Sequence, residues 1–447
     1  MKNILKTALF LSLSASLLAG CGNSEQGGGG DDSDSSYTLM IYMCGSNLES
    51  QKDEDGNLMA AATRNLLEIL SVKNQPKDVN IVVQTGGASK WSTAAATISN
   101  KVNERWHIRN QKMVKDESLT DLNMGASATL QGFLEYGIKK YPANKHALIF
   151  WDHGGAMTGV CSDEKHNDDV LINSEVQTAL SNALKNTKKE KLEWVGYDTC
   201  LMAVQDIVET NSHYFNYMVA AEESEPDGGW DYDNWIDDIY KNPDIETPTL
   251  LTEICNTYSK KCEEYYKDYA DYCYQYYQQY HDQEAYEEYQ YYKDFNDATL
   301  AAYDLSKANN YLTKFEDMAL YLKNNVIKSK SNFTTFVNNI ANKSQRFGVT
   351  EDYYGNEVYP FDVFDAYQVL NKMKASSTYN KAPIDEVLSA FNDLVIYNKY
   401  GKSYSSKVGG MSMFIAASGY SAKSDYSASE TNFTNWRTLN TSYGSWY

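Results

Sequence analysis

The sequence predicts an α/β protein with a mostly parallel central sheet covered on both faces by helices. Three observations carry that prediction. Continuous apolar runs at residues 37–43, 79–84, 146–151, 192–197 and 217–221 have the length and composition of strands buried on both faces. Segments with helical spacing separate them, at 58–70, 128–140, 174–185 and 201–210. Two of the runs stop abruptly at a reactive side chain, the first at Trp151-Asp152-His153-Gly154-Gly155 and the second at Tyr197-Asp198-Thr199-Cys200.

Taken in order, residues 37–43 form the first strand and 58–70 the first helix. Residues 79–84 form the second strand, and 91–109 read as a hairpin, with β-branched Thr93, Thr97 and Ile98. An amphipathic helix at 128–140 leads into the strand at 146–151, and a helix at 174–185 into the strand at 192–197. The helix expected at 201–210 places Leu201, Val204, Ile207 and Val208 on one face. After Gly229 the pattern changes. No glycine or proline occurs from Thr249 to Phe347, which favours long helices. Residues 258–292 hold 13 of the 37 tyrosines. They suit an amphipathic helical pair with wet hydroxyls, or a sticky surface for a protein or polysaccharide. Further helices are expected at 361–372 and 384–397, and a late strand returning to a sheet at 409–416. No internal repeat is present.

The first 21 residues stand apart from this fold. Lys2 and Lys6 precede an apolar stretch at 8–18 that is short for a membrane span. The stretch ends in Leu18-Ala19-Gly20-Cys21, which resembles a bacterial lipobox and implies lipidation of Cys21. An ordinary secretory signal is the alternative. Residues 22–36, rich in Gly, Ser and Asp, read as a flexible tether. Two or more acyl chains on Cys21 would anchor the protein stably in a bacterial cell envelope, outward-facing or periplasmic. Without the leader the chain keeps 38 basic and 60 acidic residues, a net charge of −22. That balance excludes nucleic acid and an anionic membrane surface as electrostatic partners, and it suits basic substrates.

Chemistry in open α/β sheets gathers beyond the carboxyl ends of the strands, where His153 and Cys200 both arrive. A histidine and a cysteine delivered to one edge can act as base and nucleophile. A helix starting near Leu201 would favour a thiolate at Cys200. Gly154 and Gly155 allow close backbone approach, so the Gly154 and Cys200 amides are the natural oxyanion donors. Asp198, two residues before the thiol, either forms an acidic pocket for Arg or Lys or holds the turn. Asp227 and Asp231 either add a second carboxylate to that pocket or belong to a polar loop held by Trp230. Cys161 and His166 lack a strand-end setting, and their surroundings offer too few ligands for a metal.

The segments Leu39-Met40-Ile41-Tyr42-Met43-Cys44-Gly45-Ser46-Asn47-Leu48-Glu49, Asp121-Leu122-Asn123-Met124-Gly125, 147–155, 196–202 and 219–230, in this order, resemble the clostripain family of cysteine endopeptidases. The resemblance implies a caspase-like three-layer sandwich with a helical C-terminal region. It also implies a His153–Cys200 dyad and cleavage of protein or peptide substrates after Arg or Lys, with Asp198 near the pocket mouth. Family members are often matured by cleavage between the dyad residues, and Lys165 is the preferred self-cleavage point here. Some respond to calcium, for which Asp163, Asp168 and Asp169 are candidate ligands beside the alternative of a solvated acidic loop. No organic cofactor is implied. The expected organisation is a leader at 1–21, a tether at 22–36, a catalytic domain at 37–248, a helical region at 249–347 with a Tyr-rich insertion, and a C-terminal α/β region at 348–447. A non-catalytic surface binding protein on a peptidase scaffold is the alternative from another class. An Arg- or Lys-dependent transpeptidase shares the acyl-enzyme.

Overall fold

The computed structural model describes residues 35–53, 56–351, 357–419, 426 and 432–446. The leader, Cys21 and nearly all of the tether lie outside the described residues. The chain begins with β1 (Ser35–Cys44), α1 (Ser46–Ser50), α2 (Ala61–Ser71), β2 (Val79–Gly86), β3 (Glu104–Arg109), β4 (Lys112–Ser118), α3 (Ser127–Lys140) and β5 (Ala143–Trp151). A small hairpin of β6 (Val160–Asp163) and β7 (Asp169–Leu171) follows, then α4 (Asn173–Thr187), β8 (Leu192–Asp198), α5 (Gln205–Asn211), β9 (Phe215–Ala220) and α6 (Tyr232–Lys241). The remainder comprises α7 (Thr247–Tyr280), α8 (Gln283–Tyr292), β10 (Thr299–Asp304), α9 (Ala308–Asn325), α10 (Lys330–Asn339), β11 (Thr350–Glu351), β12 (Glu357–Val358), β13 (Val363–Asp365), α11 (Ala366–Ala375), α12 (Lys381–Leu394), β14 (Val395–Tyr400), β15 (Ser412–Phe414) and a last helix at Thr434–Tyr443.

Nine strands form one sheet in the order β14-β10-β9-β8-β5-β1-β2-β3-β4. The five at its centre, β9 to β2, are parallel, and an antiparallel pair closes each side. The two-residue period of a strand sends alternate side chains to opposite faces. Along β1, Tyr37, Leu39, Ile41 and Met43 enter one core, while Met40, Tyr42 and Cys44 enter the other. Helices α2, α6 and α7 cover the first core. Helices α3, α4, α5, α9 and α12 cover the second. Each fully buried Leu, Ile or Phe in these layers contributes about 1.5–3 kcal/mol relative to exposure. The expected α/β three-layer architecture is therefore present. None of the helices among the described residues is long and apolar enough to cross a membrane.

Several element expectations change. The hairpin expected at 91–109 lies further along, between β3 and β4. Asn110 and Gln111 both take positive φ there, the two-residue turn whose twist matches paired strands. Residues 299–304 are the strand β10 rather than part of a helix. Its sequence Thr-Leu-Ala-Ala-Tyr-Asp is poor in β-branched residues, and pairing with β9 and β14 overrides its propensity. The helix expected at 384–397 ends at Leu394 and continues as β14. The late strand β15 pairs with β13 outside the main sheet, so the strand that returns to that sheet is β14. Helix α5 starts at Gln205 rather than near Leu201, with consequences for Cys200.

The tyrosines at 258–292 behave as an amphipathic pair. Helices α7 and α8 meet through ring contacts such as Tyr274–Tyr289 and Tyr277–Tyr286, both 4.7 Å between centroids. Tyr258 is fully buried, whereas Tyr280 and Tyr291 are exposed.

Candidate active site

The parallel register of β5 and β8 pairs Trp151 with Asp198. His153 and Cys200 each lie two residues beyond that pair, and both line one cleft of about 260 Å³. Leu48, Trp151, Asp152, Asp198, Thr199, Glu225, Pro226, Asp227 and Gly229 complete its walls.

The turn after β8 is built to present the thiol. Leu201 takes the left-handed conformation, φ 64°, which is uncommon for a side chain of its size. Its amide donates to the Glu223 carbonyl at 3.2 Å, which holds that conformation. Because α5 begins at Gln205, four residues after Leu201, its N-terminus does not follow directly on the sulfur as expected. The groups around Sγ belong to the loop after β9: the Glu225 amide donates to Sγ at 3.2 Å, and the thiol approaches the Glu225 carbonyl at 3.8 Å. Burial pushes the Cys200 thiol above its ordinary range, and the Glu223 and Asp198 charges push the same way against the Glu225 amide. These surroundings favour the thiol over the thiolate, without the helix terminus expected from the sequence.

His153 is held from the segment that follows the first strand. Its Nε2 lies 2.6 Å from Asn47 Oδ1, at the start of α1. With Nε2–H donating to that oxygen, Nδ1 is the nitrogen free to accept a proton. Burial pushes the imidazole below its ordinary value, partly opposed by Asp168. Neutral thiol and neutral imidazole are the combination needed for general-base activation of the nucleophile.

Asp152, between Trp151 and His153, is buried and knits three segments together. Ser46 donates its hydroxyl to one carboxylate oxygen, and the Ser162 amide donates to the other at 2.6 Å. Burial raises this carboxyl to about 8. Gly154 packs directly on the Cys200 turn, where an added Cβ would stand 2.3 Å from the Cys200 carbonyl oxygen. No other residue fits without moving the nucleophile. Neither the Gly154 nor the Cys200 amide donates to another protein group among the described residues, as oxyanion donors require.

Asp198 lines the cleft and is buried. It accepts the Trp230 amide at 3.1 Å and the Tyr232 hydroxyl at 2.7 Å, and burial raises it to about 6. Asp198 thus both lines the cleft and anchors the loop after β9. Asp227 lines the cleft but pairs with Arg64 at 3.2 Å. Asp231 is not among the cleft walls: its carboxylate accepts from Asn234 at 2.8 Å, at the start of α6. Lys261 of α7 fixes this loop from behind, donating to the Gly228 and Trp230 carbonyls at 2.9 Å each and pairing with Glu68 at 2.6 Å.

Three residues of the site escaped sequence reasoning: Asn47, Asp152 and Glu225. The rule that chemistry gathers beyond strand ends applies to Asn47 as well, which follows β1. The same rule applies to Asp152, which directly follows β5; what the sequence does not show is which distant groups each of these residues meets.

Lys165 sits in the short turn between β6 and β7, partly buried and ion-paired with Asp121. The candidate calcium ligands do not converge. Asp163 is buried and accepts from the Met124 amide at 2.7 Å and the Lys165 amide at 2.9 Å, while Asp169 accepts from Asn123. Among the described residues no group of three or more His, Cys, Asp or Glu side chains is placed to hold a metal ion.

The sequence model of the clostripain family, peptidase C11, matches residues 41–441. The chain belongs to the clostripain family. It is a clostripain-like cysteine peptidase, as the resemblance implied. The curated clostripain of Hathewaya histolytica is 22% identical over 420 residues, which cover 84% of this chain and 74% of that protein. Among solved structures, a secreted C11 cysteine protease from Bacteroides thetaiotaomicron shares the fold, with a TM-score of 0.60 and 15% identity over 91% of this chain and 100% of that one. An inactive zymogen C11 protease from Parabacteroides distasonis matches with a TM-score of 0.55 and 12% identity, covering 86% and 92%. The clostripain fold is thus spread over both the central sheet and the C-terminal segments, since the matches run across nearly the whole described chain.

Proposed function

We propose that this clostripain-family peptidase is an endopeptidase cleaving after Arg or Lys through a His153–Cys200 dyad and a thioester acyl-enzyme. The observation that carries the reading is the shared cleft, which His153, Cys200 and Asp198 line together. His153 Nδ1 takes the thiol proton as Sγ attacks the scissile carbonyl carbon. The Gly154 and Cys200 amides hold the oxyanion. The same proton passes to the leaving amine, and His153 then activates the water that releases the acid. Asp198 meets the substrate's cation. The solved relative bound to an irreversible peptide inhibitor supports peptides as the substrate class.

Maturation by self-cleavage after Lys165 belongs to the same reading, as does anchoring through a lipidated Cys21 at the bacterial envelope. Calcium enters as an experimental variable only. The test is hydrolysis of fluorogenic peptides ending in Arg, Lys, Asp or Leu, with and without calcium, before and after limited trypsin treatment with the trypsin then blocked. Cleavage confined to Arg and Lys peptides and lost in Cys200→Ala is the expected result. Silence under all conditions, or cleavage after Asp or Leu, would overturn it. Partition of the full-length product into detergent, lost in Cys21→Ser, tests the anchor.

A further inference from the structure

The tyrosine-rich half of α7 is absorbed by neither the core nor the cleft. The first half of this helix is core: Leu250, Leu251, Ile254, Cys255, Tyr258 and Cys262 are buried. Beyond Cys262 only Ala270 and Cys273 are buried. The back of this second half packs on α8 through the ring pairs Tyr269–Tyr292, Tyr274–Tyr289 and Tyr277–Tyr286. Its front carries Tyr265, Tyr272, Tyr276 and Tyr280, all exposed. Spacings of seven, four and four residues put these rings in one stripe along the helix. Tyr272, Tyr276 and Tyr280 meet one another along α7, with successive centroids 6.3 and 4.6 Å apart. A row of large rings left in water marks a contact surface.

Two further observations say what covers it. The stripe begins at the cleft. Lys261, one turn before Tyr265, donates to the Gly228 and Trp230 carbonyls, and Gly229 between them is a cleft wall. Tyr265 lies near the Arg64–Asp227 pair, and Asp227 is another cleft wall. From Tyr265 to Tyr280 the helix rises about 22 Å, the span of about seven residues of extended chain. The stripe is also acidic. From Asp268 to Tyr292 the chain has six carboxylates and no Lys or Arg. Asp268, three residues after Tyr265 and four before Tyr272, is exposed within the stripe itself. Ring faces and carboxylates are both complements of cationic side chains. A neutral glycan would stack on the rings and leave the carboxylates without a role.

We propose that the front of α7 is an exosite, a track continuous with the cleft on which a lysine- and arginine-rich stretch of a polypeptide substrate docks while another part of it is cut. The inference rests on the proposed cleavage after basic residues and adds a second contact remote from the scissile bond. Cation–π contacts with Tyr272, Tyr276 and Tyr280 supply the hold, and Asp268 with the other carboxylates of the segment supplies attraction at longer range. Docking makes engagement of the cleft intramolecular, so it lowers KM and leaves kcat unchanged.

The experiment has a kinetic and a binding arm. An internally quenched peptide with one Arg site is compared with the same peptide carrying, at either end, a flexible linker and a tail of D-lysines, whose inverted chirality keeps the tail from being cut. On the parent chain the better-placed tail should lower KM roughly 10-fold at low salt, the gain fading as salt is added. The triple variant Tyr272→Gln, Tyr276→Gln, Tyr280→Gln should lose most of the gain and cleave the untailed peptide as the parent does, and Asp268→Lys should lose part of it. In the binding arm a fluorescent D-lysine peptide is titrated into Cys200→Ala and read by anisotropy, so the stripe is tested without catalysis; the three tyrosine substitutions should weaken that binding. Equal KM for tailed and untailed peptides, a gain kept in the triple variant, or binding of neutral glucose oligosaccharides in place of the D-lysine peptide would overturn the exosite. Failure of the parent chain to cleave the untailed peptide, with tyrosine-dependent D-lysine binding intact, would instead overturn the reading on which it rests.

Discussion

Trp151 and Asp198 are registered partners on adjacent parallel strands, so every residue that follows them stays in step until the chain turns away. That single pairing brings His153 and Cys200 to the same edge of the sheet from positions far apart in the sequence. The side chains of the pair itself also serve the cleft. The Trp151 indole donates to Asn65 at 2.8 Å, and Asn65 donates to the Gly228 carbonyl at 3.0 Å, so the end of β5 helps hold the pocket loop.

Cys200→Ala and His153→Ala should each lower peptide cleavage by at least about 10³-fold, because residues acting as one unit fail together. Equal circular dichroism spectra and melting midpoints would place the loss in chemistry rather than folding. A variant retaining a tenth of the parent rate would contradict the dyad.

Asn47→Ala should lower kcat about 10-fold by freeing the imidazole to turn, while Asn47→Asp should move the acid limb of kcat to higher pH by favouring imidazolium. Asn47 is a positioning residue, and a shifted pH profile separates that role from a structural one. The check is kcat against pH for both variants at saturating substrate.

The pH dependence of the parent enzyme follows from the two neutral groups. Protonating His153 removes the base, and its depressed pKa puts the acid limb below the ordinary histidine value. The raised thiol pKa puts the alkaline limb above the ordinary cysteine value. A broad plateau between them is expected in kcat/KM, which reports the groups of the free enzyme. A narrow bell centred below pH 6 would instead indicate a thiolate–imidazolium pair.

Stability should fall as pH rises from 5.5 to 8.5. Asp152, Asp198, Glu223 and Asp365 are raised by burial to about 8, 6, 7 and 7. Their unfolded values lie near 4, so the folded chain holds extra protons in between. A raised folded pKa stabilises below the unfolded value, and that contribution is lost as pH climbs through the folded one. Thermal melting across this window checks the sign, and a midpoint that rises with pH would refute it. Asp365→Asn should flatten part of the slope.

Lys261→Met should raise KM for basic peptides roughly 10-fold without abolishing turnover, since it removes the donors that pin the Gly228 and Trp230 carbonyls. Kinetics on matched substrates, with melting as a control, test this. Separately, Asp121→Asn should release Lys165 and speed its self-cleavage. The new amino terminus at His166 would be read by sequencing.

Local pattern carried a good part of this structure. The apolar runs that end at Trp151 and Tyr197 identify buried parallel strands because such strands must be hydrophobic on both faces. His153 and Cys200 stand out because polar, reactive groups interrupt those runs at one end. Tertiary structure decided the rest. Strand β10 exists because β9 and β14 offer it partners, not because its residues favour a strand. Helix α5 starts late because Leu201 is held in a strained turn by Glu223, which removed the helix terminus expected at Cys200. Asn47 meets His153, and Glu225 meets Cys200 and Asp198, across segments that only the sheet brings together. Periodicity reports what a residue does to its own strand or helix; donors, acceptors and shared protons depend on which distant groups arrive beside it, and that is set by packing.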